Sequence, residues 1–130
     1  MPSDAINEFG RMLVQHVRDE ALRSCDREVD RQSRTPLGRR WAQLLSHGLD
    51  PEALKTILPD AVDDTIFYLL NAIDQEVLRL SYVAESGEVV GLTQEGGLGG
   101  WYMATGGWRA LYSQERFSDD LADLRPDDKE

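Results

Sequence analysis

The chain has one cysteine, two histidines and no apolar run longer than a few residues in its 130. A lone Cys25 excludes an intrachain disulfide and a cysteine-based zinc site, and makes a reducing cytoplasm the simplest compartment. Runs this short fall well below the ~18 apolar residues that a membrane-spanning helix needs. The first eleven residues carry Asp4 and Glu8 and no hydrophobic stretch, so no secretory signal is expected. His16 and His47 stand alone, without the spacing of a metal-binding helix. Basic residues are also scarce, 14 against 24 acids, for a net charge of −10.

That charge is uneven. Residues 1–48 hold eight Arg against seven acids, whereas residues 49–130 hold 17 acids against six bases. The second half therefore carries net −11. Such a field repels nucleic acid and anionic membranes and attracts basic proteins. The remaining composition, 41% hydrophobic and 29% charged, is that of a globular domain. The length suits a single domain, 1–130, with the acidic stretch 119–130 expected to be a flexible tail.

Periodicity predicts a helical first half. Ser3 or Asp4 caps a helix in which Ile6, Phe9, Leu13 and Val17 recur at helical spacing. Beyond Arg18 the apolar line drifts to Ala21, Leu22, Cys25 and Val29. Either one long helix serves two packing partners or it bends between Arg18 and Arg23. Thr35-Pro36 and Asp50-Pro51 are cap-and-proline starts. The first opens a helix with Leu37, Trp41, Leu44 and Leu45 on its inner face, ended by Gly48. The second opens a short helix, Glu52 to Ile57, which Pro59 separates from a further one over Asp60 to Asp74. Val62, Ile66, Leu69, Leu70 and Ile73 form the core face of that last helix.

After Glu76 the period falls to two. Val77, Leu80, Tyr82 and Val83 predict a strand, Glu85 to Glu88 a turn, and Val89 to Thr93 the return strand. Trp101-Tyr102-Met103 and Trp108 to Tyr112 predict a second hairpin, or a strand and a short helix. The fold class is thus α+β: three or four helices in residues 4–75 packed on a small antiparallel sheet in residues 77–112.

No catalytic motif is present. The glycine cluster Gly96-Gly97-Leu98-Gly99-Gly100 is neither a dinucleotide fingerprint, since Tyr102 occupies the third glycine position, nor a phosphate loop, which needs Lys and Ser or Thr. No catalytic residue, metal or cofactor is expected. Four arginines, Arg31, Arg34, Arg39 and Arg40, flank the first interhelical loop, but the overall charge argues against DNA. Trp101, Tyr102, Trp108 and Tyr112 either fill the core or line a ligand pocket.

The sharpest candidate is the helix over 60–74. At ~100° per residue, Asp60, Asp63, Asp64, Asn71 and Asp74 gather opposite the apolar face, with Phe67 among them. An aromatic ringed by carboxylates suits an interface, the ring anchoring and the acids steering a basic partner. The candidate binding residues are Asp63, Asp64, Phe67, Asn71, Asp74 and, beside the glycines, Trp101.

Two stretches carry a resemblance. Ala61 to Leu70, and Gly97 to Tyr102 with Gly107 to Ser113, resemble parts of small uncharacterised bacterial proteins with a helical front, a hairpin and a Gly-Trp tail. The likeness spans residues from about 50 to 117; it implies α+β architecture and no particular chemistry. In size, acidity and lack of motifs the chain is also similar to toxin-immunity proteins. The expected function is a non-enzymatic acidic protein-binding module, such as an immunity-type inhibitor of a basic toxin. The alternatives are a small enzyme using clustered carboxylates and a small-ligand sensor with an aromatic pocket at the glycine loop. Oligomeric state is not fixed by the sequence.

Overall fold

A computed structural model describes residues 2–30 and 34–118; Arg31 and the tail expected over 119–130 lie outside the described residues. Helix α1, Asp4–Leu13, starts where Ser3 Oγ accepts the Ile6 N–H at 3.3 Å. It runs through a π-helical turn, Val14–Arg18, into α2, Asp19–Val29, as one rod. The π turn takes in extra residue per turn and so resets the helical phase. This is why the apolar line drifts. The α1 section packs on the helix over 108–112 and buries Ile6 and Leu13, and the α2 section packs on two other helices and buries Leu22 and Val29. One long helix does serve two sets of partners, and the reset also turns Arg18 and Asp19 fully inward.

Helix α3, Pro36–Ser46, begins as predicted, with Thr35 Oγ1 accepting the Gly38 N–H at 3.0 Å. Gly48, at φ +104°, follows its end. It packs chiefly on α2, so it has one inner edge rather than a broad face. Leu45 is buried on that edge, Trp41 only partly, and Leu44, predicted as core, is exposed.

Helix α4 is continuous over Pro51–Asp74 and is not divided at Pro59. Proline lacks the N–H that would bond the carbonyl four residues back. That carbonyl, Lys55 O, instead accepts Nε and Nη2 of Arg116 at 3.1 and 2.9 Å. A distant arginine thus supplies the hydrogen bonds whose loss makes an interior proline costly.

The hairpin is present with strands β1, Ser81–Val83, and β2, Val89–Gly91, antiparallel with Tyr82 opposite Val90. Val77 and Leu80 precede the strand and are exposed. The sheet ends there. Where a sheet was expected to continue to 112, two short helices stand: α5, Leu98–Met103, and α6, Trp108–Tyr112. The described residues therefore hold five helical rods and a two-stranded sheet: α+β, but with less sheet than predicted.

The core lies between α1, α4, α5 and α6, built from Ile6, Leu13, Val14, Ile66, Leu70, Ile73, Leu92, Leu98, Tyr102 and Trp108. Ile66, Leu70 and Ile73 occupy it as predicted. Leu69 does not: it is 41% exposed, while α5 packs on the side of α4 that carries Asp63, Phe67 and Asp74. Leu69→Ala is accordingly expected to change unfolding free energy by less than about 1 kcal/mol, against ~2–5 for a buried leucine. Urea denaturation measures it, and a loss in the buried range would place Leu69 in the core.

Candidate functional site

Helix α4 has a closed polar side and an open side, and its five candidate residues divide between them; the sixth, Trp101, stands on α5. Asp63 is 2% exposed. Its Oδ1 accepts Arg18 Nε and the Tyr102 hydroxyl, both at 2.6 Å, and its Oδ2 accepts Arg109 Nη1 at 2.7 Å and Arg18 Nη2 at 3.3 Å. Four donors fill the carboxylate's lone pairs. Arg18 Nη1 also meets Asp19 Oδ1 at 3.1 Å, and Asp19 accepts the Ser113 hydroxyl and the Gln114 N–H, each at 2.8 Å. Two buried arginines and two buried aspartates balance in charge, as a low-dielectric interior requires.

Burial alone would raise the Asp63 pKa. Hydrogen bonds from Arg18 and Tyr102, the Arg18 charge and the Arg109 bond together outweigh it and hold the carboxyl below the usual carboxylate value. Burial, then the bond to Asp63, pushes the Tyr102 phenol upward, so it stays a proton donor. Residues 113–118 lie over this cluster as a strap. Arg116 grips Asp26 with both Nη atoms at 2.8 and 2.9 Å, and the Phe117 ring lies 4.5 Å from the Arg109 guanidinium carbon.

Asp74 is also occupied. It accepts the N–H groups of Gly97, Leu98 and Gly99 at 2.9–3.0 Å, seating a carboxylate at the start of α5. The glycine cluster serves a tight turn at Gly96 and Gly97, with φ of +59° and +123°. Phe67 is half-buried, with its ring against Gly99 and edge-on to Tyr68 at 5.6 Å. Asn71 is half-buried too. Trp101 is half-buried 6.0 Å from Trp108, beside a cleft of about 390 Å³ that includes Tyr112 and Leu111. Of the predicted stripe, then, Asp63, Phe67 and Asp74 are drawn into contacts within the chain, and Asp64 stays open, beside Asp60.

The open side carries a different aromatic. Tyr68 is 61% exposed and Ile57 59%, alongside Asp60 and Asp64. Positions 57, 61, 64, 65 and 68 form one ridge by helical spacing, a pattern present in the sequence but outweighed there by the larger aspartate cluster. Past the helix end, Val77 and Leu78, both exposed, donate their N–H groups to Ala72 O at 2.9 and 3.1 Å. A depression lies on each flank. One, of about 400 Å³, is lined by Ile57, Asp60, Ala61, Asp63, Asp64, Met103 and Arg109. The other, about 310 Å³, is a groove between the rod and α4 lined by Val17, Ala21, Leu58, Ala61, Val62, Thr65 and Ile66.

Among the described residues no helix is long and apolar enough to cross a membrane. In comparisons with known proteins, no family model, no curated protein and no solved structure matches this chain.

Proposed function

We propose that this protein is a non-enzymatic acidic binding module of the cytoplasm, and that the open side of α4 receives a basic protein partner, as an immunity-type inhibitor receives a basic toxin. One observation carries the reading: exposed Ile57 and Tyr68 stand beside exposed Asp60 and Asp64 on a chain of net −10. Large apolar side chains held in water supply an anchor, and the carboxylates and the overall field steer the encounter. The anchor is Tyr68 rather than Phe67. A carboxylate enzyme is less well supported, because Asp63 has no lone pair left to act as a base. A second reading, a small-ligand sensor, is supported by the cleft at Trp101, Trp108 and Tyr112, which lies beside Gly106 and Gly107 rather than at the glycine loop over 96–100 and is within the size range of small-molecule sites.

The test is capture from the cell's own lysate by wild type and by Tyr68→Ala and Asp60→Asn/Asp64→Asn variants, followed by kinetics with the purified partner. Removing the two acids is expected to slow association about tenfold, an effect that shrinks as salt rises from 0.1 to 1 M and the Debye length falls from ~10 to ~3 Å. Tyr68→Ala is expected to speed dissociation roughly tenfold or more. A partner indifferent to all three substitutions binds elsewhere and removes the reading.

A further inference from the structure

We propose that the groove between the rod and α4 seats one amphipathic helix of a cationic partner, its apolar side chains in the groove and its basic ones over Asp60 and Asp64. The inference rests on the functional reading above and names the shape of the partner's contact.

The groove is built for burial. Its walls are aliphatic apart from Thr65, whose hydroxyl is already bonded to Ala61 O at 2.8 Å. Val17 stands at its lip, 50% exposed, within the π turn that directs Arg18 inward. Along α4 the groove spans Leu58 to Ile66, about 12 Å at 1.5 Å per residue. That length suits two turns of a helix.

The occupant's backbone follows from what the groove lacks. Both walls are helices, which offer no strand edge of free backbone groups along the groove. An extended segment laid there would lose water from its N–H and C=O groups and find no edge to pair with. A helix satisfies its own backbone and presents apolar side chains at i, i+3, i+4 and i+7, the helix-in-groove mode.

The occupant's charge follows from the neighbouring depression. Ala61 lines both, so a helix in the groove overhangs the side bearing Asp60 and Asp64. Carboxylates there favour Lys or Arg along that edge. A second copy of the chain, itself net −10, would be repelled.

The probe is a synthetic amphipathic Leu/Lys peptide of about 18 residues, five helical turns, with a Glu-for-Lys analogue and a scrambled sequence as controls. Titration into the full-length protein is followed by calorimetry and amide NMR shifts. The Leu/Lys peptide is expected to bind at least tenfold more tightly than either control. Its shifts should centre on Val17, Ala21, Ala61 and Thr65. Ala61→Arg, on the exposed side of α4 and so compatible with folding (checked by its melting curve), should weaken it tenfold or more. Equal binding of the Glu analogue or the scrambled peptide, shifts centred elsewhere, or indifference to Ala61→Arg overturns the groove assignment. If Tyr68→Ala and Asp60→Asn/Asp64→Asn weaken the natural partner while Ala61→Arg does not, the groove falls and the outer-face reading stands. If none of the three weakens it, both fall.

Discussion

Asp63→Asn is expected to destabilise the protein by roughly 3–5 kcal/mol, the range for removing one member of a buried ion pair. The amide has nearly the same shape, so the loss is electrostatic. Arg18 and Arg109 would keep only Asp19 between them, and the amide could not accept four donors. The control lies one residue along: Asp64→Asn, exposed, should stay within about 0.5 kcal/mol. Midpoints of urea denaturation, with the slope checked for constancy, measure both. Equal small losses would mean that the cluster holds nothing together. The same carboxylate sets a pH dependence. Its folded pKa lies below its unfolded one, so its contribution is complete above the ordinary carboxylate value, ~3.9, and is lost as pH falls through the folded value. The Asp63→Asn variant should therefore lose less stability than wild type on acidification below about pH 4.

The same residue shows where sequence reading stops. Helix starts at Thr35-Pro36 and Asp50-Pro51 were legible because a cap and its helix are neighbours in the chain. So was the hairpin at Gly87, whose turn and strands are local. Asp63 looked like a surface acid because its partners are far off: Arg18 is 45 residues before it, Tyr102 and Arg109 are 39 and 46 after it. Pro59 looked like a helix end because Arg116, 61 residues beyond Lys55, is invisible to local rules. The expected sheet past Gly91 failed for a similar reason. Helix propensity in Gly97 to Gly100 is poor, but the Asp74 carboxylate takes the first three N–H groups of that stretch. Of the proposed site, Asp64 and the acidic field were legible. Tyr68 was not, because Phe67 sits amid the aspartates and only the packing of α5 shows which of the two rings faces water.

Trp108→Ala is expected to cost about 3–5 kcal/mol as well, by opening a cavity in the core. The ring is almost fully buried, edge-on to Phe9 at 6.0 Å, and its Nε1 donates to Asn7 Oδ1 at 3.0 Å. It also lies flat over Gly10, where an added Cβ would come within 2.2 Å of Cδ2. That contact makes a sharper test possible. In wild type, Gly10→Ala should destabilise by ~1–3 kcal/mol, since neither a buried ring nor a helix backbone yields easily. With Trp108 already Ala, the obstruction is gone. Alanine should then be neutral, or stabilising by up to about 1 kcal/mol, through its better helix propensity. The two effects should thus couple by a few kcal/mol in a double-mutant cycle read by denaturation. Gly10→Ala costing the same in both backgrounds would show that the ring does not rest on α1. The coupling matters beyond stability. Trp108 anchors the first residue of α6, and the next residue is Arg109. Loosening the ring should therefore also weaken the grip on Asp63, so Trp108→Ala and Asp63→Asn combined should cost less than the sum of the two alone.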